Sequence, residues 1–386
     1  MAGTWRQVGP PAVTCGLAAV FVAICLQSTG LALRPQCASV YRMSIPQQPG
    51  TVRKVKEALL RTGFYSAFRR VAPSRNLAIL RYHAVCETDA GYADPGICVT
   101  PARFEEHVRY LAAHYRVLAL PDAVDALKRG SSLPRNAVAI TFDDGYADNY
   151  AAAQTLAAHG LTATFYITAG CLADGAPFWP SEIRKLVHAL RVERLDLDVA
   201  GAPVTIPVST PAERQAAVSK LTKIFKGHTI PIRESVREQL RRAAGAAPAP
   251  SPMLTREQLD GMRRLGMEIG SHTFTHPNLP NAGLEEARRE LRESKLALET
   301  CVGAPVTMFS YPNGGAERYI TSELKKVVQQ SGFAGAASSQ NAFAGTHSDI
   351  YALERIEVEE RLEDLAFALE VERFAFAPPG GNRRPY

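Results

Sequence analysis

Apolar and polar positions follow two rhythms along most of the chain. Short apolar runs bounded by polar or turn-forming residues predict strands over Leu77–His83, Tyr115–Leu120, Ala137–Phe142, Ala163–Thr168, Met267–Gly270, Val306–Tyr311, Gly335–Ala337 and Arg355–Val358. Between them, helical spacing predicts helices over Pro101–Ala113, Pro121–Leu127, Asp148–His159, Thr255–Leu265, Leu284–Glu299, Ala316–Gln330 and Leu362–Phe374. Thr100 is placed to cap the first of these, and Thr255 with Gln258 has the spacing of a capping box. Glu285 and Arg289 stand at i,i+4 on the long helix. Strands that alternate with helices imply parallel pairing in an α/β fold.

Two regions break the rhythm. Residues 180–253 carry a helix over Ser181–Leu190, a polar hairpin over 191–208, charged helical stretches over Pro211–Ala243, and then an Ala/Pro/Gly-rich run. This reads as an insertion that decorates the main unit. Its charges read most simply as a solvated helix face, with a substrate-lining role as the alternative. At the other end, Val52–Phe68 predicts a short basic amphipathic helix. The organisation is therefore 1–42 as a separate leading segment, 43–75 as a basic helical segment, 76–374 as one domain with its insertion, and 375–386 as a disordered tail.

Charge sharpens this division. Residues 1–75 hold ten Lys/Arg and a single acid, Glu57, whereas the chain as a whole carries only +6. The main domain is thus slightly acidic, which argues against nucleic acid as a partner. The basic head suits either an anionic membrane surface or a solubilising arm. Val13–Leu33 is mostly apolar and just long enough for one span of roughly 20 residues, but its basic flanks are poorly arranged for one. A signal or anchor and a non-native extension before Met43 both stay open, and with them a cytoplasmic, membrane-associated or exported location. Seven cysteines include no close pair of the CxxC kind, so a zinc knuckle is not expected. Cys86 and Cys98 can pair if the domain is exported; free thiols are the simpler reading.

The chemistry concentrates in two stretches. Thr141-Phe142-Asp143-Asp144-Gly145 puts two carboxylates where a buried strand opens into a loop. Ser271-His272-Thr273-Phe274-Thr275-His276-Pro277 puts two imidazoles four residues apart. Together they offer three ligands for one divalent cation and a spare carboxylate to act as a base. Such a donor set suits Zn²⁺, Co²⁺, Ni²⁺ or Fe²⁺ better than Ca²⁺. It leaves room for water and an acyl oxygen, the needs of amide or ester hydrolysis. The plain alternatives are a helix cap for the acids and backbone-bonded loop histidines. A serine nucleophile elbow and a phosphate-binding loop are both missing from the sequence.

These motifs resemble those of the polysaccharide deacetylases of the NodB-homology, carbohydrate esterase 4 type, over about Leu77–Glu372. The resemblance implies a distorted, incomplete (β/α)7 barrel that removes acetyl groups from N-acetylated sugars of a polysaccharide. It implies Asp143 as catalytic base and Asp144, His272 and His276 as ligands of one metal ion, zinc first. The family's third motif usually carries an arginine, where this chain has Ser310 in Phe309-Ser310-Tyr311-Pro312-Asn313-Gly314. The late histidine motif is not evident. Both departures resemble the exopolysaccharide-associated branch, which implies His83, in Leu80-Arg81-Tyr82-His83, as the acid. By the same resemblance Arg355 orients Asp143, with a structural salt bridge as the alternative. The Tyr311 amide and Asn313 are expected near the reacting acyl group, Trp179 as an aromatic wall or core residue, and His347 as a reserve acid. A small-substrate amidase acting on cyclic imides or ureides and an inactive carbohydrate-binding barrel are the competing functions.

Overall fold

The computed structural model describes residues 50–245, 251–313 and 319–374. The stretch 13–33, Cys15, Cys25, Cys37, the Gly314–Gly315 turn and the 375–386 tail lie outside them. Among the described residues no helix is long and apolar enough to cross a membrane.

Eight parallel strands form one sheet: β1 (Ala78–Tyr82), β2 (Arg116–Val117), β3 (Ala137–Phe142), β4 (Thr164–Ile167), β7 (Glu268–Ser271), β8 (Met308–Ser310), β9 (Gly335–Asn341) and β10 (Leu353–Glu357). A separate antiparallel hairpin consists of β5 (Arg194–Val199) and β6 (Ala202–Pro207). Seven of the parallel strands close a ring in the order β1-β10-β9-β8-β7-β4-β3, because β1 also pairs with β3 along five residues. β2 is not in the ring. It shares the outer edge of β3 with β4, taking Ala137 and Val138 while β4 takes Thr141 and Phe142. The barrel is incomplete only against the eight-stranded form. It is distorted where the β9–β10 register shifts between Leu353 and Arg355.

Strand periodicity explains the two sides of the wall. Val138, Ile140 and Phe142 pack outward with Leu80, Phe165, Phe309 and Ile356 against the surrounding helices. Ala137 and Ala139 belong to the inner cluster with Ile79, Tyr166, Met308, Ala337 and Leu353. Successive strand residues point to opposite faces, so Thr141 and Asp143 continue the inner row. Small inner residues make room for large ones. A Cβ on Gly270 would lie 2.5 Å from the Tyr166 ring, so β7 must carry glycine there.

Several elements differ from their predicted form. The expected N-terminal helix is two helices, Gly50–Arg61 and Phe64–Val71, broken where Gly63 takes a left-handed φ of 73°. Tyr115–Leu120 shrinks to the two residues of β2, because Leu120 already starts the helix Leu120–Lys128 and is buried in the inner cluster. β9 runs four residues beyond Ala337. On the helix Leu284–Val302, Arg289 pairs with Glu286 at i,i+3 and not with Glu285, which Arg288 takes. The Thr255–Gln258 capping box is present, while Thr100 makes no side-chain cap bond.

The insertion has its own core. Trp179, Leu186, Leu197, Val218, Leu221, Phe225, Val236 and Leu240 bury one another between the hairpin and the helices Trp179–Ala189, Pro211–Gly227 and Ile230–Ala244. Its charges are not all solvated. Arg233 and Arg237 are buried, and Arg237 donates to Glu182 and to the Pro177 carbonyl. The guanidinium stems fill the seam between insertion and barrel, which a sequence pattern of charges does not disclose.

Candidate active site

Strand ends at one rim of a parallel barrel are where loops gather functional side chains. Asp143 and Asp144 leave β3 there, His83 leaves β1 and His272 leaves β7. The Asp143 amide donates to the Tyr82 carbonyl, prolonging the ladder by one residue. Asp144 then takes φ 78° and Gly145 φ 89°. This left-handed turn sends the two neighbouring carboxylates in different directions. Thr273, His276 and Asn313 also have positive φ. A β-branched residue such as Thr273 is costly in that region, and such strain concentrates at functional sites.

Asp143 meets Arg355, which reaches the same place from inside β10. Nη1 lies 2.7 Å from Oδ1 and Nη2 2.7 Å from Oδ2. The remaining donors go to the Ser338 carbonyl at 2.7 Å, Thr141 Oγ1 at 3.2 Å and Ser310 Oγ at 3.0 Å. All five N–H groups of the fork are therefore engaged. Ser310 occupies the position where the resemblance expects an arginine, and it accepts from Arg355. Burial by itself would push the Asp143 carboxyl up. The Arg355 charge, His272 and the Arg355 hydrogen bonds outweigh it and hold the group below the usual carboxylate range.

Asp144, His272 and His276 bring one ligand atom each to a common point, all within 4.8 Å of one another and all buried. Nε2 of His272 lies 3.5 Å and Nε2 of His276 3.3 Å from Asp144 Oδ1. A tetrahedral zinc site with bonds of about 2.0–2.1 Å needs its ligand atoms roughly 3.3–3.4 Å apart. The nitrogen-oxygen donor set and its spacing therefore fit a divalent cation of that size. His272 Nδ1 lies 2.8 Å from the Ser310 carbonyl, which can only accept. That bond puts the proton on Nδ1 and leaves Nε2 as the lone pair facing Asp144. Burial pushes the His276 imidazole down to about 4, against the pull of Asp144. Burial likewise opposes the charge on Asp144, but the adjoining imidazoles of His272 and His276 outweigh it and hold its carboxyl well below the ordinary value.

The loop between the histidines is gripped from two sides. Glu290, 2% exposed on the helix Leu284–Val302, accepts from the Phe274 amide at 2.8 Å, the Thr275 amide at 2.7 Å and Thr275 Oγ1 at 2.6 Å. Arg233 of the insertion donates to the Thr275 carbonyl and Oγ1. Sequence reasoning missed both residues. The available signal for Glu290 was a carboxylate between Ala287 and Leu291 on an apolar helix face; Arg233 offered none.

Other expected site residues fall in varied places. His83 Nε2 stands 3.9 Å from Asp143 Oδ2, with the imidazole one-fifth exposed. Burial lowers its pKa, while Asp144 and Asp143 pull the other way. Asn313 is half-buried with an Nδ2 that has no partner in the described structure. Three expectations need correction. The Tyr311 amide donates to the Ala337 carbonyl at 3.1 Å, so the barrel ladder already uses it. Trp179 is no aromatic wall: it is 2% exposed, packs on Phe225, and its Nε1 donates to the His276 carbonyl at 3.0 Å. His347 is exposed in the β9–β10 loop, whose Ala344 pairs with Leu77 before β1. That is the opposite end of the barrel from Asp143, so His347 is removed as a reserve acid.

A closed parallel barrel with carboxylates and paired imidazoles on its C-terminal rim defines a barrel hydrolase. The model of the polysaccharide deacetylase family matches residues 130–192 and 215–334, so the chain carries a polysaccharide deacetylase domain. It is accordingly a hydrolase that acts on polysaccharide acetyl groups. The match includes Asp143, Asp144, His272 and His276, skips the whole β5–β6 hairpin, and leaves His83 and Arg355 outside. Among similar proteins is YxkH of Bacillus subtilis (strain 168), provisionally described as a polysaccharide deacetylase, 22% identical over 309 residues and 80% of each chain. Among solved structures, the Streptococcus pyogenes deacetylase PplD in complex with acetate matches 78% of this chain and all of its own. Its TM-score is 0.51 at 18% identity, a likeness of fold.

Proposed function

We propose that this chain hydrolyses the acetamido groups of N-acetylated sugars in a polysaccharide, giving acetate and a free amine. The observation that carries the reading is the ionised, Arg355-held Asp143 beside the Asp144–His272–His276 cluster. Those three side chains would hold one divalent cation, zinc or else cobalt, nickel or iron(II), which supplies a Lewis acid for water and the acyl oxygen.

Asp143 is the base. Arg355 fixes both of its oxygens and keeps it unprotonated, so it is ready to accept the proton of the attacking water. His83 delivers a proton to the nitrogen as the C–N bond breaks. Burial favours a neutral resting imidazole, so that proton is gained during turnover, and Asp143 at 3.9 Å is its nearest source. Asn313, whose amide nitrogen has no partner among the described residues, is assigned to substrate binding. The early acid His83 and the late Arg355 support an exopolysaccharide as the polymer. Arg53, Lys54, Arg61 and Arg70 stay exposed on the N-terminal helices, which supports contact with an anionic membrane surface.

The test is acetate release from N-acetylglucosamine oligomers by the full chain, stripped with chelator and then reloaded with zinc or cobalt. Release that returns with metal supports the reading. Tight metal binding with no release from any N-acetylated oligomer or polymer would remove the assignment.

A further inference from the structure

On the β1 side of the rim, Cys86 and Cys98 face each other with their sulfurs 3.4 Å apart. Both are buried, at 7% and 6% exposure, in an apolar nest with Ala84, Ala93, Tyr146, Cys171, Phe178 and Met253. The backbone holds the pair in place. Ala84 bridges Cys98 in parallel, and the Val99 amide donates to the Ala84 carbonyl at 3.0 Å. A disulfide needs sulfurs about 2.05 Å apart, a closure that side-chain rotation can supply over this gap. The competing contacts are weak ones: the Cys98 thiol donates to the Asp94 carbonyl at 3.2 Å, and the Tyr92 hydroxyl neighbours the Cys86 thiol.

The loop between the two cysteines matters to the site. Cys86 is three residues after His83. Asn149 donates to the His83 carbonyl and Asp148 accepts from the Val85 amide, so this segment is held from the β3 side. Its far side depends on the 87–97 loop. There Tyr92 donates to Asp148 at 2.7 Å, and Asp94 pairs with Arg184 of the insertion.

We propose that Cys86 and Cys98 form a disulfide that staples the 87–97 loop behind His83. The bond is independent of the reaction proposed above. Both S–H bonds break and the sulfurs join. Two electrons and two protons pass to a small-molecule disulfide oxidant such as oxidised glutathione, which leaves as two thiols. Burial, then the Cys86 contact, pushes the Cys98 thiol far up, so oxidation of the folded chain is slow and the bond forms as the chain folds.

The sequence provides a clean readout. Tryptic cleavage after Arg81 and Arg103 leaves both cysteines in one peptide, Tyr82–Arg103. The full chain is refolded in a mixture of oxidised and reduced glutathione; in a parallel arm, folded chain is held in the same mixture with sub-denaturing urea. After alkylation and digestion, the expected peptide is lighter than its dithiol form by two hydrogen atoms in either arm. Cys98→Ser abolishes this loss. The oxidised protein should melt about 5 °C above the reduced one, as a short closed loop predicts, and Cys98→Ser should not respond to reduction. A doubly alkylated Tyr82–Arg103 in both arms, or a cross-link from it to the peptide of Cys171, overturns the pairing. A disulfide with no gain in melting temperature overturns the stapling role.

Discussion

Arg355→Met separates the guanidinium from its partner at the centre of the site. The new side chain fills much of the same space but leaves Asp143 as a buried charge without a counter-ion. Removing one member of a buried ion pair costs about 3–5 kcal/mol. Thr141 Oγ1, Ser310 Oγ and the Ser338 carbonyl also lose a donor, which places the expected loss near the upper end. Urea denaturation at pH 7, with chelator present throughout, would read this as a midpoint lowered by more than about 1 M if the slope is about 3 kcal/mol/M. The pH dependence follows from the same pair. In the native chain Asp143 is held below its unfolded pKa. Its stabilisation is therefore complete above about pH 4 and is lost only as pH falls towards the depressed value. In the variant, burial loses its main opponent and raises the carboxyl above the unfolded value. The variant is then least handicapped in acid and loses further stability as pH rises through the raised pKa. Asp143→Asn closes a double-mutant cycle, with an expected coupling of about 2–3 kcal/mol. Additive single losses, or a deficit that does not shrink between pH 7 and pH 4.5, would refute the reasoning.

Three further outcomes are expected. Glu290→Gln keeps the shape but leaves one carbonyl oxygen for three donors around Phe274 and Thr275, so metal affinity should fall about 10–100-fold in competition with a chromophoric chelator; unchanged affinity would take Glu290 out of the support of His276. His83→Gln should lower kcat about 10²–10⁴-fold and alter the acid limb of the pH–rate profile, because the resting imidazole must be neutral to take up the proton, whereas an unaltered profile would strip His83 of the acid role. Gly170→Ala would set a Cβ 2.7 Å from the Phe274 carbonyl and 2.8 Å from its ring, so thermal melting should report a loss of about 1–3 kcal/mol; a wild-type melt would mean that the loop yields freely.

What the sequence disclosed was whatever a short window can encode. β3 shows itself as six consecutive apolar or small residues ending at Asp143, and the spacing of His272 and His276 places two imidazoles on one loop. The closed ring itself is not local: β1–β3 pairing joins residues some sixty positions apart. Failures follow the same division. Tyr311 was expected to offer its amide on the resemblance of its motif to the family's, but parallel pairing with β9 claims that amide first. His347 has the right side chain at the wrong end of the barrel, a fact set by the return of the chain from β9 to β10.

The insertion carries the largest hidden contribution. Its arginines have the spacing of a solvated face, and Arg241 and Glu238 are partly of that kind. Yet Arg233 reaches Thr275, Trp179 holds the His276 carbonyl, and Asn278 and Asn281 both donate to the Lys226 carbonyl at the end of the helix Pro211–Gly227. Each bond joins the insertion to the loop that carries, or directly follows, His276. A segment that decorated the barrel passively would need none of them. The strained φ of Thr273 and His276 requires outside support to persist, and Glu290 from the barrel side with Arg233 and Trp179 from the insertion side supply it. The insertion is thus part of the scaffold of the loop that carries His276, and its sequence is constrained by that loop at Trp179 and Arg233 more than by its own surface.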